Sequence, residues 1–245
     1  AEIDGSIYGK GQVQGLQLHD PKGRFFTAGT VAVDWNPLAW IFNELNISRA
    51  VIIKARLDRL PELIDSGEDQ PLLPGFDIYV GAFRADNLAL GKAIAGTEQF
   101  ADLSGSADIR AGRAMLHLDA ATTRSGDKLL LALNAEPDRK KLDIDAEIIA
   151  PAGGILARAL GLERDLAVTL KGDGNWQKWN GELNALSNGE TLTQISLEAR
   201  EGLFAYDGKL AGNLMPDGIA QKLASPDLAI KGTASLADRL VALDL

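Results

Sequence analysis

Residues 142–148 read LDIDAEI, with Leu142, Ile144, Ala146 and Ile148 on one parity and Asp143, Asp145 and Glu147 on the other. Successive side chains of a strand point to opposite faces, so this segment has one oily face and one charged, wet face. The fold turns on what covers the oily one.

The same period of two recurs in both directions from this stretch. Upstream, GTVAVDW puts Val31, Val33 and Trp35 on one side, AMLHLDA puts Leu116 and Leu118 there, and LLLALNA does so with Leu129, Leu131 and Leu133. Downstream, LAVTLKG repeats it with Leu166, Val168 and Leu170, and ISLEARE sets Ile195, Leu197 and Ala199 against Ser196, Glu198 and Arg200. GKLAGNL with Leu210 and Leu214, then LAIKGTA with Leu228 and Ile230, carry the pattern toward the end. Between the runs stand turn signals: SGDK at 125–128, EPDRKK at 136–141 and SNGE at 187–190. Short reversals make neighbouring strands antiparallel. The expected fold class is therefore all-β with a few short helices, a long antiparallel meander of about 14 strands.

Helical segments are few. NPLAWIFNEL has Asp34 or Asn36 as a cap and Pro37 in the first turn, and PAGGILARALGL and PDGIAQKLAS supply two more short candidates. SGEDQPLLPG, 66–75, mixes acids with two prolines and reads as a linker. The expected organisation is a strand-helix-strand part over 1–65, the linker, and a continuing β-rich part over 76–245.

Composition narrows the function. The chain has 245 residues, 34 acidic against 25 basic, and a net charge of −9, so as a whole it is expected to repel nucleic acid and an anionic membrane surface rather than coat them. Cysteine is absent, so disulfides and thiolate metal sites are excluded while the compartment stays open. No apolar run approaches the roughly 18 residues a spanning helix needs, and no cleavable signal pattern opens the chain. The first residues lack Met and the last stop in mid-alternation, so the chain is expected to be a segment of a longer protein.

A sheet of so many strands has to curl, close or fold on itself to hide one face. A sandwich or barrel would pair two oily faces, which usually recruits more large residues than a chain with 6% aromatics supplies. The alternative is a half-open roll lined by aliphatic side chains and filled by a ligand. The lining of such a groove would be Leu116, Leu118, Leu129, Leu131, Leu133, Leu142, Ile144, Ile148, Val168, Leu170, Ile195, Leu197, Leu210, Leu214, Leu228 and Ile230. For any one of them, ordinary core packing and groove lining are both open.

Enzymatic readings find little support. His19 lies beside Asp20 and His117 on the polar parity of its strand, and neither has a nucleophile or metal ligand at a telling spacing. Asp143, Asp145 and Glu147 alternate with apolar residues and so mark a solvated strand face rather than a calcium site. GKGQVQG and GDGNW lack the strand-to-helix context of a phosphate loop and read as turns. Trp176 and Trp179 bracket a hairpin as a cross-strand clasp. Trp35 and Trp40 flank Pro37, where core packing and a membrane-interface position are both open. No catalytic residue, metal site or cofactor is expected.

One longer stretch carries a family resemblance. VAVDWNPLAWIFNELNISRAVIIKARLDRLPEL, 31–63, runs strand, aromatic, Asn-Pro-Leu, short helix, Ile-x-x-x-x-Val and a basic segment ending in Leu-Pro. It resembles the N-terminal periplasmic part of the TamB family of translocation and assembly module subunits, within the AsmA-like, bridge-like lipid transfer group. LLPGFDIYVGAFRADNLALGKAIAG, PAGGILARALGL and LAVTLKGDGNWQKWNGEL extend the resemblance over nearly the whole chain. It implies a periplasmic body anchored to the inner membrane by a helix outside this segment, and a bent, groove-forming sheet. It also implies phospholipid as the ligand and the outer-membrane barrel TamA as a partner through regions outside this segment. The function implied is shielding phospholipid acyl chains on their way to the outer membrane. The competing expectation is a spacer with a protein-filled interior that supports outer-membrane protein, including autotransporter, assembly with TamA.

Overall fold

The computed structural model describes residues 2–5, 9–62, 73–139, 141–159, 162–175, 177–200, 203–214, 227–235 and 240–244. By contacts the chain divides into two compact units, Ala1–Gly126 and Asp127–Leu245. The first holds β1 (Glu2–Gly5), β2 (Lys10–Asp20), β3 (Gly23–Trp35), β4 (Glu44–Leu57), β5 (Asp77–Leu90), β6 (Gln99–Arg110) and β7 (Arg113–Thr122). The second holds β8 (Lys128–Glu136), β9 (Lys141–Ala150), β10 (Leu166–Asn175), β11 (Lys178–Ser187), β12 (Glu190–Arg200), β13 (Leu203–Leu210), β14 (Leu228–Ser235) and β15 (Leu240–Asp244). In each unit the strand order is the chain order, so neither sheet closes on itself. The fold is all-β, an open meander with a few short helices, as the alternation predicts.

One pair departs from the antiparallel rule. β4 and β5 run parallel, with Glu44 opposite Asp77 and Leu57 opposite Leu90. A parallel pair needs a connection that carries the chain back to the starting end, and residues 58–76 make that return. Most of the expected linker, SGEDQPLLPG, lies outside the described residues, but its place in the chain is that of this crossover. The boundary between the compact units falls elsewhere, at Gly126 and Asp127.

The return is pinned where it leaves β4. Arg59 forms a two-pronged ion pair with Asp20, with Nη1 at 2.5 Å from Oδ2, and its Nη2 also donates to the Gly23 carbonyl at 2.9 Å. Asp20 further accepts from the backbone N–H of Lys22 at 2.8 Å and of Glu62 at 2.7 Å. These donors, Arg59 first, hold the Asp20 carboxyl well below the usual carboxylate range.

The first unit also carries a kink shared by four strands. Gly15, Lys54 and Asn87 adopt left-handed backbone, with φ of 64°, 55° and 52°. Two consecutive residues are then exposed in β2, β4 and β5, namely Gln14 and Gly15, Ile53 and Lys54, Asp86 and Asn87, while in β3 Gly29 is exposed and Thr30, level with Gln14 and Ile53, is half-buried. Because β2, β3 and β4 kink together, their register is unbroken, with Val13, Val31 and Ile52 before the kink and Leu16, Ala28 and Ala55 beyond it. The apolar side stays on one face although the sequence parity switches. Between β5 and β6 the register does shift, and Asp102 accepts from the Asn87 N–H at 2.9 Å.

Short helices sit at strand ends. Pro37–Phe42 is a 3-10 turn rather than a full α-helix, capped by Asn36, whose Oδ1 accepts from the Leu38 N–H at 3.1 Å. α1 (Lys92–Ala95) and the 3-10 turns Pro137–Arg139 and Gly212–Leu214 were not anticipated. α2 (Ile155–Ala159) is the centre of the expected PAGGILARALGL helix. The PDGIAQKLAS candidate lies outside the described residues.

Buried apolar side chains are small. Among the described residues, eleven of the sixteen buried apolar residues are alanines, and no large side chain falls below 2% exposure. A sandwich would bury large side chains between its sheets; here the buried set is mainly small residues within the sheet together with those under the short helical turns, such as Ala39, Ala95 and Ala157.

Candidate functional site

Cross-strand register in the second unit assembles the apolar parity into rows that cross the strands. The first row joins Leu129, Ile148, Val168, Ala185, Thr193, Leu210 and Leu228. The second joins Leu131, Ala146, Leu170, Leu183, Ile195, Gly208 and Ile230. The third joins Leu133, Ile144, Gly172, Gly181, Leu197, Tyr206 and Gly232. No residue of the second or third row is buried; each is half-buried. Spacing of about 4.8 Å gives the seven strands β8–β14 a span of about 29 Å.

The margins of this face differ. At one, α2 packs Ala157 against Ala150, Leu166 and Ala185, with Leu156, Leu162, Val168 and Leu192 around them. Asp127, at the start of β8, fixes α2 there: its Oδ2 and Oδ1 accept from the Ile155 and Leu156 N–H groups at 3.1 and 3.0 Å. Toward the other margin lies Trp179, only 5% exposed. Its indole covers Gly172 and Gly181, where any side chain would collide with it, and its Nε1 donates to the Leu142 carbonyl at 2.8 Å. The two glycines leave a gap in the third row, and the ring fills it. The lane between α2 and Trp179 is the candidate site.

Most of the expected lining meets here: Leu129, Leu131 and Leu133 on β8, Leu142, Ile144 and Ile148 on β9, Val168 and Leu170 on β10, Ile195 and Leu197 on β12, Leu210 on β13, Leu228 and Ile230 on β14. Leu116 and Leu118 belong to the first unit, where they extend rows through Ala107 and Val80, and through Gly105 and Phe83. Leu214 does not join a strand. The chain leaves β13 at Leu210 and enters the 3-10 turn Gly212–Leu214, which tucks this side chain in at 8% exposure. The expected lining left out Leu183, Ala146 and Trp179, although Ala146 was read on the oily parity of its strand and Trp179 as a cross-strand clasp. Leu183 lies in GELNALS, where an outward Leu186, 39% exposed, blurs the alternation.

The first unit has an apolar face of the same kind. One row joins Val13, Val31, Ile52, Ala85, Leu103 and Ala120, and the next joins Gly11, Val33, Ala50, Phe83, Gly105 and Leu118. Phe83 lies over Gly105 as Trp179 does over its two glycines.

The opposite face of the second unit is charged and solvated. Lys171 meets Asp145 at 3.2 Å, Lys231 meets Asp207 at 2.9 Å, and Gln194 donates to Glu182 at 2.7 Å. Asp143 is paired with Lys141 at 2.9 Å, and this bond foremost holds its carboxyl below its ordinary value. Among the described residues no three Asp, Glu or His side chains converge in metal-binding geometry. His19 and His117 are exposed on β2 and β7. Trp176 lies outside the described residues, and no described helix is long and apolar enough to cross a membrane. Neither the protein-family models, the curated proteins nor the solved structures match this chain.

Proposed function

We propose that this chain is a lipid-shielding segment whose aliphatic lane holds phospholipid acyl chains out of water, and that it acts without catalysis. The observation that carries the reading is the pair of adjoining rows through Leu131 and Ile144, whose side chains other than Tyr206 are aliphatic, with glycines between them, and which are nowhere fully buried. A face of that size calls for an occupant, because each methylene withdrawn from water is worth about 0.8 kcal/mol. The lane's span of about 29 Å is roughly twice the depth of one leaflet's hydrocarbon, about 15 Å. Rows that are mainly aliphatic, with Tyr206 and the Trp179 ring confined to one side of the lane, suit sliding rather than one fixed pose. The TamB-like sequence pattern adds the setting: a periplasmic body anchored to the inner membrane, conveying lipid toward the outer membrane, with TamA as partner.

A photo-crosslinking side chain at Ile144, on the lane, is expected to yield phospholipid adducts in cells. The same group at Asp145, on the charged face, is expected to yield none. Equal labelling at both positions, together with a lipid-free purified chain, would defeat the conduit and leave the scaffold for outer-membrane protein assembly.

A further inference from the structure

The 3-10 turn Pro37–Phe42 in the first unit is the most apolar exposed feature among the described residues. Leu38, Trp40, Ile41 and Phe42 are 60%, 65%, 75% and 80% exposed, and only Ala39 is buried. With three residues per turn, four exposed side chains over so short a stretch point in several directions. A flat protein partner would cover one side of such a knob, whereas a fluid medium surrounds all of it.

The knob's backbone is capped at both ends. The Leu38 and Ala39 N–H groups donate to the Asn36 side chain and carbonyl at 3.1 and 3.2 Å, and the Asn43 N–H donates to Trp40 O at 3.1 Å. Asn43 ties the base to the neighbouring connection, its Nδ2 reaching Gly75 O at 3.0 Å and its carbonyl accepting from the Asp77 N–H at 3.0 Å. Phe76, 40% exposed, follows that tie. From Trp35 to Asn43 there is no charge. The capped ends and the lack of charge lower the cost of entering an apolar medium.

Charge sits behind it. Lys10, Asp34 and Arg49 are level across β2, β3 and β4, and with Gln12, Ala32 and Val51 they line an open cleft of about 490 Å³. Neither Lys10 nor Arg49 is ion-paired with a described residue, so the cleft has a net positive charge of one from these three groups. Glu44, just past the knob, is met by Arg110 at 3.5 Å and by Asn46 at 2.9 Å. Apolar residues in front and unpaired cations one step back match the acyl boundary and phosphates of a phospholipid surface in order of depth.

We infer that Pro37–Phe42 is a membrane-interface anchor, with Trp40, Ile41 and Phe42 inserted at the headgroup–acyl boundary and Lys10 and Arg49 against lipid phosphates. This contact is separate from the lane.

The chain has no cysteine, so Ile41→Cys accepts a single environment-sensitive fluorophore, and Thr97→Cys beyond α1 provides the control. On vesicles of phosphatidylcholine with a minor fraction of phosphatidylglycerol, the probe at 41 is expected to brighten and shift to the blue, and that at 97 to stay unchanged. The triple substitution Trp40→Ser, Ile41→Ser, Phe42→Ser is expected to weaken co-flotation about tenfold or more. Lys10→Gln with Arg49→Gln is expected to weaken it about fivefold on the anionic vesicles alone. A silent probe at 41, or a triple variant that floats like the parent, would overturn the inference. So would a triple variant whose sole effect is to dissociate a lipid-free oligomer. Crosslinking at Ile144 is read separately, so loss of the anchor and loss of the lane are distinguishable.

Discussion

The two units solve one problem with different degrees of regularity. In Asp127–Leu245 every strand pair among the described residues is antiparallel and the rows run nearly straight across the strands. Among the described residues its register shifts between Ala185 and Leu186. In Ala1–Gly126 the chain makes a parallel crossover, kinks four strands together and exposes the apolar turn Pro37–Phe42. Both nevertheless hold a continuous apolar face and cover glycine gaps with an aromatic ring. Face continuity, not strand regularity, is the shared requirement, and the irregular unit meets it by switching side-chain parity in step.

The sharpest test of that comparison is at the two rings. Trp179→Ala removes a nearly buried indole with its hydrogen bond and leaves two facing glycines uncovered. It is expected to destabilise the second unit by about 3 kcal/mol in denaturant unfolding. Phe83→Ala, from a half-buried ring over one glycine, is expected to cost about 1–2 kcal/mol. Equal losses would mean that the rings do not serve as gap fillers in proportion to what they cover.

Next comes the pinned crossover, which has no counterpart among the described residues of the second unit. The Asp20 carboxyl has its folded pKa depressed by Arg59 and two backbone donors. Its contribution is therefore fully present above the unfolded value of about 4 and declines as pH falls below it toward the folded value. Hydrogen exchange at 58–62 is expected to speed up under that acid shift, and Asp20→Asn is expected to show fast exchange there already at neutral pH. An acid response in Asp20→Asn as steep as in the parent would assign the effect to another group.

The smallest expected difference lies in two hairpin turns. β11 and β12 are joined by Asn188–Gly189, with φ of 50° and 82°, and β6 and β7 by Ala111–Gly112, with φ of 51° and 72°. Asn adopts left-handed backbone at less cost than Ala. Ala111→Asn is therefore expected to stabilise by about 1 kcal/mol and Asn188→Ala to destabilise by a similar amount in thermal unfolding. Shifts of the same sign would contradict the turn assignment.

Legibility followed the same division. LLLALNA and LDIDAEI could be read directly because each side chain's face is set by its own strand, and their partners Leu129 and Ile148 did meet. VIIKARL could not be read so. Lys54, a residue with no special liking for left-handed backbone, interrupts the alternation, and Ile53 turns outward at 47% exposure. Leu214 failed for another reason: two residues of further alternation do not extend a strand once the chain turns at Gly212. Nor does a Trp in a hairpin announce that its ring lies flat across glycines in two different strands.

Alternation is a local property, so residue order by itself determined the β class, the polarity of each strand's two sides and the positions of the Asn-Gly and Pro turns. Only tertiary structure decided the registers that join leucines of separate strands into rows, the parallel meeting of β4 and β5, and the absence of full burial along the central rows. Those depend on where distant segments come to rest, and a period of two says nothing about that.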